Sequence, residues 1–348
     1  MTATRVEVID PLVDPRWGDV AALPQATLYH SMAWARVLAA SYGFRARYYL
    51  ALEHERVVGG LPFFEVGSAV RGKRLVSLPF SDVGGHVGEP SAVAPLLSAA
   101  VRDADAGGWR AVEIRGGRAN GAASGLTRTH HNDLYTLALD RPLHDIVSGF
   151  SDSVRWGRKR ALRDGVSAEQ MSSPDGLREF YRLHQITRRR LGVPVQSWRF
   201  FEHLGREFLA RDNGFVVNAR HAGRAVASAV FLLHGSRLYY KFSAADPSAL
   251  ASQPNSLVLW QAIEWAHAQG LAEIDLGKTV RENVGLARFK RSWGAVSEPL
   301  PHYYFPRGAG VGATSEESPP MRAVRALWRR LPLPVARVVG GLLYRVLA

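Results

Sequence analysis

The sequence predicts an α+β protein built from two duplicated domains, followed by a basic helical tail. Three observations carry this. A strand–strand–strand–helix–strand order occurs twice along the chain. The copies share local sequence: Arg56-Val57-Val58-Gly59 runs against Arg224-Ala225-Val226-Ala227, and Gly108-Trp109-Arg110-Ala111-Val112-Glu113-Ile114 against Gly270-Leu271-Ala272-Glu273-Ile274-Asp275. The 348 residues, 47% of them hydrophobic, suffice for two buried cores. A repeat this long is a duplicated domain rather than a solenoid unit, and each copy reads as a hairpin sheet backed by helices. The expected boundaries are 1–145, 146–307 and a linker with tail at 308–348.

In the first copy, Ser31 caps a helix that carries Ala33, Trp34, Val37 and Leu38 on one face, and Gly43 ends it. Strands follow at Tyr48–Leu52 and Val57–Val66, about the polar turn His54-Glu55-Arg56. A third strand, Arg74–Leu78, leads into the loop Pro79–Gly85. A helix over Ser91–Ala106 stops at Gly107-Gly108, and a strand follows at Ala111–Ile114. The second copy has strands at Phe215–Ala219 and Ala225–Leu233 about His221-Ala222-Gly223, and a third at Arg237–Ser243. A loop then ends at Pro254-Asn255, a helix covers Ser256–Gln269, and a strand covers Ala272–Leu276.

Between the copies lie helices predicted from Ser151 or Asp152 through Arg163, from Pro174 to Leu191, and from Ser197 to Arg211. The stretch Gly308–Pro320 reads as a linker. In the tail, Val324, Leu327, Trp328 and Leu331 follow helical spacing, Pro332 and Pro334 interrupt it, and an apolar segment runs from Val335 to Leu347. Residues 321–348 suit either an anionic membrane surface or packing on their own domain.

Composition narrows the function classes. Net charge is +13. Such a field favours nucleic acid, anionic membrane or phosphorylated substrates, although a general preference for arginine over lysine produces the same excess. The absence of cysteine excludes disulfides, thiolate nucleophiles and cysteine-ligated zinc. No apolar run is long enough to span a bilayer, and Met1–Arg5 opens no secretory signal. A cytoplasmic protein, peripheral on the inner membrane face at most, is the expectation. Walker A, zinc-helix and nucleophile-elbow motifs are missing. Gly308–Ala313 matches a dinucleotide loop in form only, since no helix pattern follows it. His130-His131 reads as a loop pair rather than a metal site, and no metal is expected.

The chemistry-bearing pattern lies after the helix of the second copy. Asp275 ends a core strand and Gly277 allows a tight exit. A short helix then carries Phe289, Lys290 and Trp293, with Phe289 and Trp293 four apart on one face. Asp275 reads as a base or orienting group, or as an aspartate that caps the following turn. Phe289 and Trp293 read as ligand or as core.

The order Pro254-Asn255…Trp260, Asp275-x-Gly277, Gly285…Phe289-Lys290-x-x-Trp293-Gly294 resembles the Fem-type aminoacyl transferases of the wider GNAT superfamily. Ser77-Leu78-Pro79-Phe80…Gly84-Gly85 and Arg155…Lys159-Arg160-Ala161 are similar to matching segments of that group, and the resemblance covers roughly residues 10–305. It implies two tandem GNAT-like (acyl-CoA N-acyltransferase) domains and acyl or aminoacyl transfer to an amine, in cell-envelope, exopolysaccharide or natural-product synthesis. No cofactor would be bound; the co-substrate would be aminoacyl-tRNA or acyl-CoA.

The resemblance places Phe289 against the terminal adenine of a charged tRNA and Lys290 beside the reacting ester. There Lys290 would stabilise charge developing on the carbonyl oxygen. Asp275 joins Lys290 as a catalytic candidate. Asn255, Arg288 and Trp293 complete the implied donor site. Ser81, Asp82, Arg155, Arg158 and Lys159 form the implied acceptor site, for a phosphorylated or amino-sugar acceptor. Members often carry a tyrosine three residues before the lysine; this chain has Ala287. Two alternatives stand beside this one. An acetyl-CoA-dependent N-acetyltransferase would want a glycine-rich pyrophosphate loop, where this chain has Asp246–Asn255 with Pro247 and Pro254. A non-catalytic, basic, membrane-associated adaptor would need no site at all.

Overall fold

A computed structural model describes residues 4–68, 72–117, 125–306 and 319–347. In chain order the elements are β1 (Arg5–Ile9), α1 (Trp17–Ala21), α2 (Met32–Tyr42), β2 (Arg45–Glu53), β3 (Arg56–Ser68), β4 (Gly72–Val76), β5 (Val87–Gly88), α3 (Pro90–Ala106), β6 (Ala111–Arg115) and β7 (Thr127–Ala138). Then come α4 (Leu143–Ser148), α5 (Asp152–Arg163), β8 (Ser167–Met171), α6 (Pro174–Leu191), α7 (Trp198–Glu207), β9 (Gly214–His221), β10 (Arg224–His234), β11 (Arg237–Ala245) and α8 (Pro254–Ala268). The last are β12 (Glu273–Val280), α9 (Val284–Ser292), β13 (Val296–Phe305), α10 (Pro319–Arg330) and α11 (Leu333–Leu347).

The chain divides into two units: residues 1–132, 299–318 and 342–348 form unit 1, and residues 133–298 and 319–341 form unit 2. By this division residues 133–145 fall with unit 2 and the end of β13 with unit 1. The tail is shared out rather than separate.

In unit 1 the sheet runs β1-β2-β3-β4-β6-β13. Neighbours from β1 to β4 are antiparallel. After the α3 crossover β6 lies parallel to β4, with Leu75 opposite Val112. In unit 2 the order is β12-β11-β10-β9-β8. Neighbours from β8 to β11 are antiparallel, and after the α8 crossover β12 lies parallel to β11, with Leu238 opposite Ile274. The duplication is thus a duplication of topology: a meander, a helix, and a strand returned in parallel, as short un-knotted crossovers allow. Each unit has its own core. Leu61, Phe63, Leu96 and Val112 centre the first, and Val217, Phe231, Leu259 and Ile274 the second.

Local signals placed the helices well. The Ser31 side chain accepts the Trp34 N–H, and Gly43 closes α2 in the left-handed region at φ +69°. Replacing Ser31 with alanine is expected to cost about 1 kcal/mol, since one helix donor loses its acceptor. Thermal denaturation checks this, and an unchanged midpoint would show that the cap contributes nothing. His130 and His131 lie in β7, not in a loop, where the β-branched Thr127 and Thr129 favour extended backbone. Most of the expected linker, including Gly308–Ala313, lies outside the described residues. Its last two residues, Pro319 and Pro320, start α10, as proline's fixed φ permits in a first turn.

Tail residues Trp328 and Ala336 are buried in unit 2. Gly340 lies so close to Val195 that an added Cβ would stand 2.5 Å from its carbonyl oxygen. Tyr344 packs near Tyr42 and Phe80 in unit 1. Among the described residues, no helix is long and apolar enough to cross a membrane.

Candidate functional site

The site expected in the second copy forms within β12, which runs on to Val280 rather than ending at Leu276 as expected. Asp275 is 2% exposed, and its Oδ1 accepts the Gly277 N–H at 2.6 Å. This carboxylate therefore shapes a kink within the strand, where Gly277 stands at φ +77°, a conformation glycine adopts without strain. Asn283 then starts α9, its side chain accepting the Leu286 N–H at 3.1 Å.

Near the C-terminal end of α9, Lys290 points back at β12. It is 3% exposed, and its Nζ donates to the carbonyl oxygens of Gly277 at 2.7 Å and Lys278 at 3.0 Å. The ammonium also lies 5.2 Å from the centroid of the Tyr135 ring. Arg291 approaches the same ring at 5.7 Å and donates to its hydroxyl at 3.3 Å. Carbonyl dipoles and a π face thus compensate a cation that burial would otherwise penalise. Tyr135 was invisible in sequence: it is one apolar position in an alternating strand, and nothing local marks it as a partner for cations on α9.

Phe289 is half-buried, its ring packed edge-to-face at 6.5 Å from Trp293. Trp293 itself is 1% exposed and meets Phe150 at 5.1 Å. Phe150 in turn meets Trp260 at 6.1 Å, and the Arg158 guanidinium lies 3.3 Å from the Trp260 ring centroid. One train of rings therefore connects α9 with α5 and α8. It brings together Phe289, Trp293 and Arg158, which the sequence had assigned to donor and acceptor separately. Trp293 has no open face for a ligand and serves as the support of Phe289. Burial pulls the Arg158 guanidinium below its usual range, opposed by the nearby Glu264 carboxylate.

The remaining candidates scatter. Asn255 is half-buried in the first turn of α8, and Arg288 is exposed on α9. Arg155 is engaged within its own segment, by Phe150 O at 2.6 Å and Asp152 at 2.6 Å, while Lys159 stands exposed on α5. In unit 1, Ser81 is buried and its Oγ accepts the Trp34 indole N–H at 2.7 Å. Asp82 accepts the Tyr29 hydroxyl at 2.7 Å. Their loop holds two non-glycine residues at positive φ, Leu78 at +45° and Phe80 at +62°. Such strain persists only where surrounding contacts over-determine the backbone. At residues 246–255, where a CoA loop would sit, Asp246 caps a 3₁₀ helix over Pro247–Ser252 that runs into α8.

The comparisons agree with this architecture. Residues 148–291 match the family model for an acetyltransferase (GNAT) domain, a span that includes Asp275, Phe289 and Lys290. No curated protein sequence matches the chain. Among solved structures, FemX is similar at a TM-score of 0.69 and 16% identity, over 85% of this chain and 96% of that one. The C-terminal domain of an Agrobacterium fabrum protein assigned as a lysylphosphatidylglycerol synthetase is similar at 0.57 and 14%, over 83% and 90%. A tandem GNAT protein from the clavulanic acid biosynthesis pathway is similar at 0.54 and 13%, over 86% and 98%. At such identities the structural likeness is one of fold. Residues 148–291 thus match a GNAT acetyltransferase domain, and the fold of the chain is that of FemX and of a tandem GNAT protein.

Proposed function

We propose that the chain moves an activated acyl or aminoacyl group onto an amine in a Fem-like manner, with the donor held in unit 2. The observation that carries this reading is the pairing on α9 of a half-exposed ring, Phe289, with a fixed cation, Lys290, against the kink in β12. An ester or thioester is already activated, so positioning supplies much of the rate. The amine nitrogen forms the new C–N bond, the donor's C–O or C–S bond breaks, and the proton lost by nitrogen ends on the departing oxygen or sulfur. Phe289 stacks on the leaving end, and the Lys290 charge, little screened where it is buried, stabilises the oxygen that becomes negative. Asp275 holds the kink in β12 on which Lys290 rests. Asn255 and Arg288 flank the donor. Ser81, Asp82, Arg155, Arg158 and Lys159 remain the acceptor candidates, for a phosphorylated or amino-sugar amine in envelope, exopolysaccharide or natural-product synthesis.

A charged tRNA is the favoured donor because the 246–255 segment offers a 3₁₀ helix with Pro247 instead of a glycine cradle. The match to an acetyltransferase model keeps acetyl-CoA as the second reading. The protein works at the inner face of the membrane in this proposal, its residues 321–348 against an anionic surface.

Incubation with labelled aminoacyl-tRNA and, separately, labelled acetyl-CoA tests it: label should pass from the tRNA to an amine. Label moving from acetyl-CoA alone would establish the second reading. Label moving from neither, across amino-sugar and phosphorylated amine acceptors, would leave the adaptor. Phe289→Ala should weaken donor binding roughly 5- to 150-fold, the worth of about 1–3 kcal/mol of base stacking.

A further inference from the structure

We propose that a cleft between α6, α7 and α11 binds the phosphate of an anionic phospholipid headgroup. The outward face of α11 then lies in the acyl boundary beside it. This rests on the membrane-surface reading above and gives that surface a defined ligand. The cleft has a volume of about 400 Å³ and is lined by Arg178, Tyr181, Gln185, Ser197, Trp198 and Arg337. That volume lies within the range of small-molecule sites.

Its walls offer guanidinium, amide and hydroxyl donors and no carboxylate. Among the described residues Arg178 has one carboxylate partner, Asp175 at 2.8 Å, in a largely exposed pair of the kind that exchanges readily with solvent. Arg337 has no carboxylate partner among the described residues. The Tyr181 hydroxyl is committed to Gln196 O at 3.0 Å, and its ring packs edge-to-face on Trp198 at 5.2 Å. Both rings therefore form a rigid wall. The N-terminus of α7 opens at Ser197 and Trp198 and adds the positive end of its dipole. Two guanidiniums across such a cleft match the geometry and charge of a phosphate.

The neighbouring surface favours a lipid over a free phosphate. On α11, Ala336 and Gly340 face the protein, and Val335, Val338 and Val339 on the opposite side face solvent. Leu327 is likewise turned out from α10. Residues 319–347 contain six arginines and no aspartate or glutamate. A helix that shows water its apolar side, with arginine at its flank, is the pattern of an element lying in an anionic interface. Arg337 sits at that flank, between the valines and the cleft. Trp198 has the amphipathic ring that collects at headgroup depth.

Co-sedimentation of the whole chain with vesicles tests the proposal. Binding should require phosphatidylglycerol within a phosphatidylcholine vesicle, and soluble glycerol phosphate should compete. Arg178→Gln and Arg337→Gln should each weaken binding about fivefold, and together about thirtyfold. Val338→Asp should abolish it. Arg45→Gln, an exposed arginine in unit 1, should leave it unchanged. The proposal is overturned by equal binding to pure phosphatidylcholine, by thermal stabilisation with glycerol phosphate and no vesicle association, or by a double variant that sediments like the parent. A loss with Arg45→Gln as large as with Arg337→Gln would also overturn it, leaving only diffuse charge. The readout does not involve acyl transfer, so an inactive donor assay leaves this result standing, and the reverse holds too.

Discussion

Replacing Lys290 with alanine should lower turnover by about 10²- to 10³-fold while changing acceptor affinity little, the loss typical of one preorganised donor at a developing oxyanion. The side chain has a second task, since its Nζ holds the carbonyl oxygens of Gly277 and Lys278. Alanine leaves these two acceptors without their cation, at a cost of about 1–3 kcal/mol each if water does not replace it. Turnover must therefore be expressed per folded molecule, with the melting midpoint measured alongside. A fall in activity that merely follows the folded fraction would reduce Lys290 to a clamp on the kink in β12. A fall well beyond it, with the acceptor KM preserved, assigns the charge to the transition state. Lys290→Arg keeps the charge but cannot place a fork where a single ammonium sits, so it should recover stability before it recovers rate.

Trp293→Ala should destabilise the protein by about 3–5 kcal/mol, the usual cost of emptying a large aromatic from a core. The indole is 1% exposed and wedged between Phe289 and Phe150. In a unit of this size that corresponds to a fall of roughly 10 °C in the midpoint of unit 2. Donor affinity should fall as well, because the Phe289 ring loses the edge that orients it. A variant with full stability and weakened donor binding would instead restore Trp293 to direct ligand contact.

Much of the fold was readable in advance for a common reason. Ser31, Gly43 and Pro174 act on backbone groups within a few residues, and the meanders announce themselves through apolar runs such as 225–233. The doubled order of elements then yields the topology, because a strand–helix–strand crossover has few ways to close. The Phe289–Lys290 pair was legible as a pattern too. Its environment was not. Nothing near position 290 says that the ammonium will turn inward, since its carbonyl partners lie twelve and thirteen residues away and Tyr135 comes from a distant strand. The tail was ambiguous for the same reason. Its spacing is equally good for packing or for lying on a membrane, and one face of α11 is buried while its opposite face is not.

By itself, then, the sequence determined the elements, their caps, the repeat and the absence of thiol chemistry, all of which depend on residue type or on neighbours a few positions apart. Only the tertiary structure decided which charges are buried, which rings are support rather than surface, and where two arginines from α6 and α11 meet across a cleft. Those outcomes depend on which distant segments exclude water from one another, and chain order carries no measure of that.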